Sequence, residues 1–143
     1  MDLRGDLLAS SPQRYRGPCS SWPDDWRAFL QTRVNILVTG PDAALEAYLR
    51  AAQPVFRSPI RSVAGSRTLA LRAAKTLIVR DVDKLSRAAQ RILFAWMDMP
   101  EHRDTQIVSM ASGPLLPLVQ ANLFDLDLYY RLNTIWLEAE TLN

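Results

Sequence analysis

The chain has 143 residues, 48% of them hydrophobic and 22% charged, with a formal net charge of +2. That is enough for one domain with a real core, and the charge is too small to argue for nucleic acid as a partner. A single cysteine, Cys19, and a single histidine, His102, exclude an intrachain disulfide, a cysteine-based metal site and any Ser-His-Asp or Cys-His catalysis that does not use the polar turn at residues 99–104.

His102 reads there as a solvated loop residue. Lys75 and Lys84 are the two lysines; the other basic residues are arginines, scattered without a block or stripe. The amino-terminal segment MDLRGDLLASSPQ has no apolar h-region, and no long hydrophobic span follows. The expectation is a cytoplasmic protein without membrane contact.

Residues 1–24 are punctuated by Ser10-Ser11-Pro12, Gly17-Pro18 and Trp22-Pro23, so an irregular segment is expected. Trp22 is expected to pack on the domain, because a free tail seldom carries a tryptophan. Residues 24–30 read as a helix with acidic residues at its start, placing Trp26, Phe29 and Leu30 on one face.

The organising stretch is 35–52, NILVTGPDAALEAYLRAA. An apolar run ends in Thr39-Gly40-Pro41 and a helix former follows, which predicts a buried strand, a turn and a helix from about 42 to 52. The helix places Leu45, Tyr48, Leu49 and Ala52 on its core face. This is where a P-loop would sit. That motif needs Gly, four residues, then Gly-Lys and Ser or Thr. Gly40 is present, but the later positions hold Leu45, Glu46 and Ala47. Leu45 puts a side chain where backbone N–H groups would approach a phosphate. Glu46 puts a negative charge where the lysine would be, and like charges in a partly dry site repel by roughly several kcal/mol. Asp42 is expected to cap the helix and occupy its positive end, the spot a phosphate would take. Two interpretations follow: a phosphate cradle filled by the protein's own carboxylates, or a strand-to-helix connection that never held nucleotide.

Pro54 ends this helix, a short edge strand is expected at about 60–63, and residues 68–74 could form a brief helix. Residues 76–80 read as a second buried strand. A helix then runs from about 86 to 98, its core face formed by Leu85, Ala89, Ile92, Leu93 and Trp96, with Phe94 on the opposite side beside Arg87 and Arg91. Residues 105–110 form a third strand. Gly113-Pro114 opens a helix to about 121, another helix spans 123–132, and a last strand spans 134–139. The alternation predicts a three-layer αβα domain over residues 25–143 with a mainly parallel five-stranded sheet.

The segment Phe124-Asp125-Leu126-Asp127-Leu128-Tyr129-Tyr130-Arg131-Leu132-Asn133 closely resembles the F-R-x-D-L-Y-Y-R-L-N segment of the AAA+ domain of bacterial enhancer-binding proteins, the ATP-driven activators of sigma-54 RNA polymerase. The run TLIVRDVDKL at 76–85 resembles their Walker B segment, residues 107–112 fall where sensor I would be, and Leu8–Pro12 faintly echoes their entry segment by the adenine. The resemblance implies a P-loop NTPase-like core, assembled in that family as a hexameric ring with ATP between subunits, a GAFTGA loop that pushes on the sigma factor, and a helical lid.

Carried over position by position, the resemblance implies a degenerate site. The Walker A lysine position is Glu46, the metal-binding Walker B aspartate position is Arg80, and the catalytic glutamate position is Asp81. The sensor I asparagine position is Ser112. Of the two arginine-finger positions, the first is Asp125 and only Arg131 keeps its arginine. No GAFTGA occurs, and the lid would begin where the sequence ends. Hydrolysis needs a phosphate cradle, a metal, an activated water and a finger, so the expectation is a pseudoenzyme with no catalytic residue, cofactor or metal. Gly40, Asp42, Glu46, Arg80, Asp81, Ser112 and Arg131 would be its vestigial nucleotide site.

Two reversals suggest a specific arrangement. The lysine and aspartate positions face one site in P-loop proteins, so Glu46 and Arg80 are expected to lie together and pair. The rival is a helical surface pair of Glu46 with Arg50. The expected function is regulatory contact in bacterial transcription or signalling. The partner would be a second copy or an intact AAA+ activator, met through Phe94, Tyr129, Tyr130 and Arg131. The alternative is a residual ATP/ADP-binding protein or weak ATPase that uses Mg²⁺. No helix-turn-helix with a basic recognition helix is present, so DNA binding is not expected.

Overall fold

The computed structural model describes residues 14–18, 22, 24–64 and 69–141. Its strands are β1 (Arg14–Gly17), β2 (Ile36–Thr39), β3 (Ile60–Ala64), β4 (Thr76–Arg80), β5 (Gln106–Ala111) and β6 (Ile135–Ala139). They form one sheet in the order β1-β6-β2-β5-β4-β3, and every neighbouring pair is parallel. The expected five-stranded, mainly parallel sheet is therefore corrected to six strands, all parallel. The helices are α1 (Asp42–Ala52), α2 (Arg87–Asp98), α3 (Leu116–Gln120) and α4 (Leu126–Leu132), with a 3-10 helix at Asp24–Leu30.

β2, β4 and β5 are buried along almost their whole length, as parallel strands covered on both faces must be. Period-two alternation splits their side chains between two cores. Ile36, Val38, Ile78, Val108 and Met110 pack with α1 and the 3-10 helix, while Leu37, Leu77, Val79 and Ile107 pack with α2 and α4. In the first core, Trp26 stands edge-on to Trp22 with ring centroids 5.5 Å apart, and Tyr48 of α1 lies against both rings. Trp22 does pack on the domain.

The sixth strand falls inside the segment expected to be irregular. Its sequence, RYRG, has no apolar run, and its place comes from tertiary contacts instead. Backbone pairing joins Arg14–Gly17 to Trp136–Ala139. Arg16 bridges Glu138 at 3.1 Å and Glu140 at 3.4 Å, and the Tyr15 ring lies 5.8 Å from that of Phe29. Residues 69–74 are not helical, contrary to expectation; they cross over to the sheet as an irregular connection. Cys19, Leu8–Pro12 and Thr68 lie outside the described residues.

Ser86 caps α2, its Oγ accepting from the Ala89 N–H at 3.1 Å. Ile92 is not a core residue: it is 42% exposed, and Gln90 takes a buried place instead. The Gln90 amide donates to the carbonyls of Leu85 and Leu123, and its Oε1 accepts from the Asp125 N–H at 2.8 Å. One polar side chain thus ties α2 to the turn that enters α4, with all its bonds satisfied. His102 is also unlike its expectation. It stacks on Trp96 with centroids 3.8 Å apart, and its Nδ1 lies 2.8 Å from the Trp96 carbonyl oxygen.

Candidate functional site

In an open parallel sheet, a crevice forms at the carboxyl edge where chain connections diverge to opposite sides. Here β2 leads through α1 to β3 at one side, and β5 leads through α3 and α4 to β6 at the other. The divergence point lies between β2 and β5. A cleft of about 340 Å³ opens beside it, lined by Asp42, Leu45, Glu46, Arg80, Asp81, Lys84 and Met110.

The elements deliver these side chains for simple reasons. Arg80 ends β4 on the same side as Ile78, the side that α1 covers. Glu46 lies one turn into α1. The two meet: Arg80 donates to Glu46 Oε1 at 2.5 Å. The side chains are 42% and 47% exposed, so the pair bridges the cleft mouth rather than filling a dry interior. The predicted pair is present. Asp81 follows in a left-handed backbone conformation, φ 52°, which Asp tolerates better than most residues. Its carboxylate lies 3.6 Å from Lys84 Nζ.

The cleft therefore presents three carboxylates and two cations, and each cation already faces a carboxylate of the same chain. Asp42 does not cap α1, contrary to expectation. Pro41 stands at the cap with no side-chain bond, its carbonyl accepting from the Leu45 N–H at 3.0 Å, and Asp42 is the first helical residue. Its charge still favours the helix amino end, where a phosphate would otherwise sit.

Gly40 and Thr39 also have internal work. The Gly40 N–H donates to the Ala111 carbonyl at 3.1 Å. Gly40 has φ +151°, and a Cβ there would stand 2.3 Å from the Ala139 carbonyl oxygen. The glycine is needed because β6 passes this closely, and its amide is spent on β5. Thr39 Oγ1 accepts from Trp136 Nε1 at 2.9 Å.

The remaining candidates are not gathered here. Ser112 is exposed and donates to Asp83 Oδ2 at 3.2 Å. Arg131 lies at the opposite, amino edge of the sheet, because α4 must end where β6 begins. Its carbonyl accepts from Asn35 Nδ2, its guanidinium donates to Asp98 at 3.0 Å, and that group sits 4.9 Å from the centroid of the Phe94 ring. Phe94 is thus half-buried beneath Arg131 rather than pointing free. Tyr129 is half-buried and packs edge-on to Tyr130, which is 62% exposed.

Helices on both faces of a parallel sheet, with a charged cleft at its carboxyl edge, define a three-layer α/β domain of the type that commonly carries ligands at that edge. More particularly, the chain belongs to the sigma-54 interaction domain family, which matches residues 49–142. The match begins within α1, after Gly40 of the turn and Glu46 of the helix. NtrX from Brucella abortus, crystallised in complex with ATP, has a similar fold: the TM-score is 0.61 at 19% identity, covering 78% of this chain and 32% of that one. A second crystal structure of NtrX gives a TM-score of 0.57 at 18% identity, covering 78% and 33%. The chain thus spans about a third of the length of NtrX. A search of curated proteins found no match. No helix among the described residues is long and apolar enough to cross a membrane.

Proposed function

We propose that this chain is a non-catalytic AAA+-like regulatory module of bacterial transcription regulation or signalling, acting by protein–protein contact. One observation carries this reading: the ion pair between Glu46 and Arg80, at positions where the family resemblance implies a lysine for phosphate and an aspartate for metal. The pair reverses both charges at once. A triphosphate entering the cleft would meet Asp42, Glu46 and Asp81 and find both cations engaged. The engaged Gly40 amide and Thr39 hydroxyl support the same conclusion. The contact surface is centred on Phe94, Tyr129, Tyr130 and Arg131.

The second reading is residual binding of ATP or ADP with Mg²⁺, or weak ATPase activity. The persistence of an open cleft of about 340 Å³ at the carboxyl edge favours it, as does the Asp81 carboxylate at its rim. Isothermal titration calorimetry with ATP and ADP, with and without Mg²⁺, together with a phosphate-release assay, separates the two. The regulatory reading expects no binding heat and no turnover. Micromolar binding, or turnover abolished by Asp81→Asn, would favour the second.

A further inference from the structure

A second, smaller hollow of about 210 Å³ shares Arg80 with the carboxyl-edge cleft and lies between α1 and the edge strand β3. Period-two alternation sends Ile60 and Ser62 of β3 to the side that α1 covers, and Val63 to the other core. Apolar side chains make most of the wall: Leu49 from α1, Phe56 from the segment after it, Ile60, and Ile78 from β4. Gln53, Ser62 and Arg80 add the polar groups. Arg80 is the one charged residue in this lining among the described residues, whereas the neighbouring cleft holds three carboxylates. These polar groups have capacity to bind. Gln53 and Ser62 are exposed, and among the described residues neither side chain makes a hydrogen bond. The Arg80 guanidinium carries five N–H donors, and its one hydrogen bond among the described residues goes to Glu46.

We infer that this hollow binds a small monocarboxylate with a compact apolar or aromatic tail. The carboxylate meets Arg80, Ser62 and Gln53, and the tail lies against Leu49, Phe56 and Ile78. Mostly apolar walls with a few converging polar groups are the usual makeup of a small-molecule site. One cation and no lining carboxylate select a singly charged anion over a cation or a zwitterion, and the planar guanidinium fork matches a carboxylate. An apolar cavity of about 150 Å³ takes up benzene, so about 210 Å³ leaves room for a ring and its carboxylate. Glu46 is the competitor inside the chain. Its pair with Arg80 is half-exposed and so weakly coupled, and a bound carboxylate draws Arg80 away from it. The cleft mouth thereby responds to a small molecule, an input that goes beyond the protein-contact reading and does not rest on it.

The test is an amide NMR titration of the full chain with sodium benzoate, benzamide and sodium acetate at matched ionic strength. Benzoate is expected to shift the signals of Leu49, Gln53, Ile60 and Ser62 saturably. Benzamide lacks the charge and acetate lacks the ring, so each should bind at least about tenfold more weakly. Arg80→Gln should weaken benzoate by about tenfold. Glu46→Gln should strengthen it by about two- to fivefold, the weight of a half-exposed ion pair. A misfolded variant does not bind more tightly, so the gain cannot come from damage to the fold. Benzoate without saturable shifts, benzamide or acetate binding as well as benzoate, Glu46→Gln without a gain, or shifts confined to Asp42 and Asp81 would each overturn the inference. Nucleotide calorimetry fails or succeeds independently of these outcomes, so the two proposals are separable.

Discussion

Removing either partner of the Glu46–Arg80 pair tests how the cleft is held. The N–O distance is 2.5 Å, but the side chains are 42% and 47% exposed, so solvent screens much of the attraction. Half-exposed pairs couple by about 0.5–1 kcal/mol, whereas breaking a buried pair costs roughly 3–5 kcal/mol. The exposure favours the lower range. Urea denaturation of Glu46→Ala, Arg80→Ala and the double variant, analysed as a double-mutant cycle, should give a coupling near 1 kcal/mol that shrinks in high salt. For a domain of this size, each single variant should melt lower by about 2–5 °C. The swapped variant, Glu46→Arg with Arg80→Glu, should recover most of the loss. A coupling indistinguishable from zero, or one of several kcal/mol that ignores salt, would refute the picture of a pair bridging an open cleft.

Other substitutions probe the surrounding framework. Gly40→Ala forces a Cβ to within 2.3 Å of the Ala139 carbonyl oxygen at positive φ, and should cost about 3 kcal/mol or more in denaturant midpoint analysis. Gln90→Leu removes a donor shared by two carbonyls and the acceptor of the Asp125 N–H, with an expected loss of about 2–4 kcal/mol in the same assay. Asp125→Ala deletes the α4 cap and should cost about 1 kcal/mol, visible as faster amide exchange in the first turn of α4.

Much of this arrangement was legible in the residues. Largely apolar runs at 36–39, 76–80 and 106–111 mark strands buried on both faces. The pairing of Arg80 with Glu46 is anticipated by the resemblance, which places both positions at one site, while alternation along β4 says only that Arg80 shares a face with Ile78. The rest depends on partners remote in sequence. β1 has no hydrophobic pattern of its own and exists because β6, Glu138, Glu140 and Phe29 receive it. Gln90 displaces Ile92 from the core because three backbone groups converge on its amide, which helical periodicity does not register. His102 reads as a solvated residue because nothing local announces the stacking on Trp96. The position of Asp42 turned on a single residue of helix register, with Pro41 standing at the cap.

The most direct measurement of the central claim is an amide NMR titration of the intact chain with ATP and Mg²⁺. The signals of Gly40, Asp42, Glu46, Arg80 and Asp81 should stay in place up to millimolar nucleotide. Saturable shifts confined to those residues would contradict it.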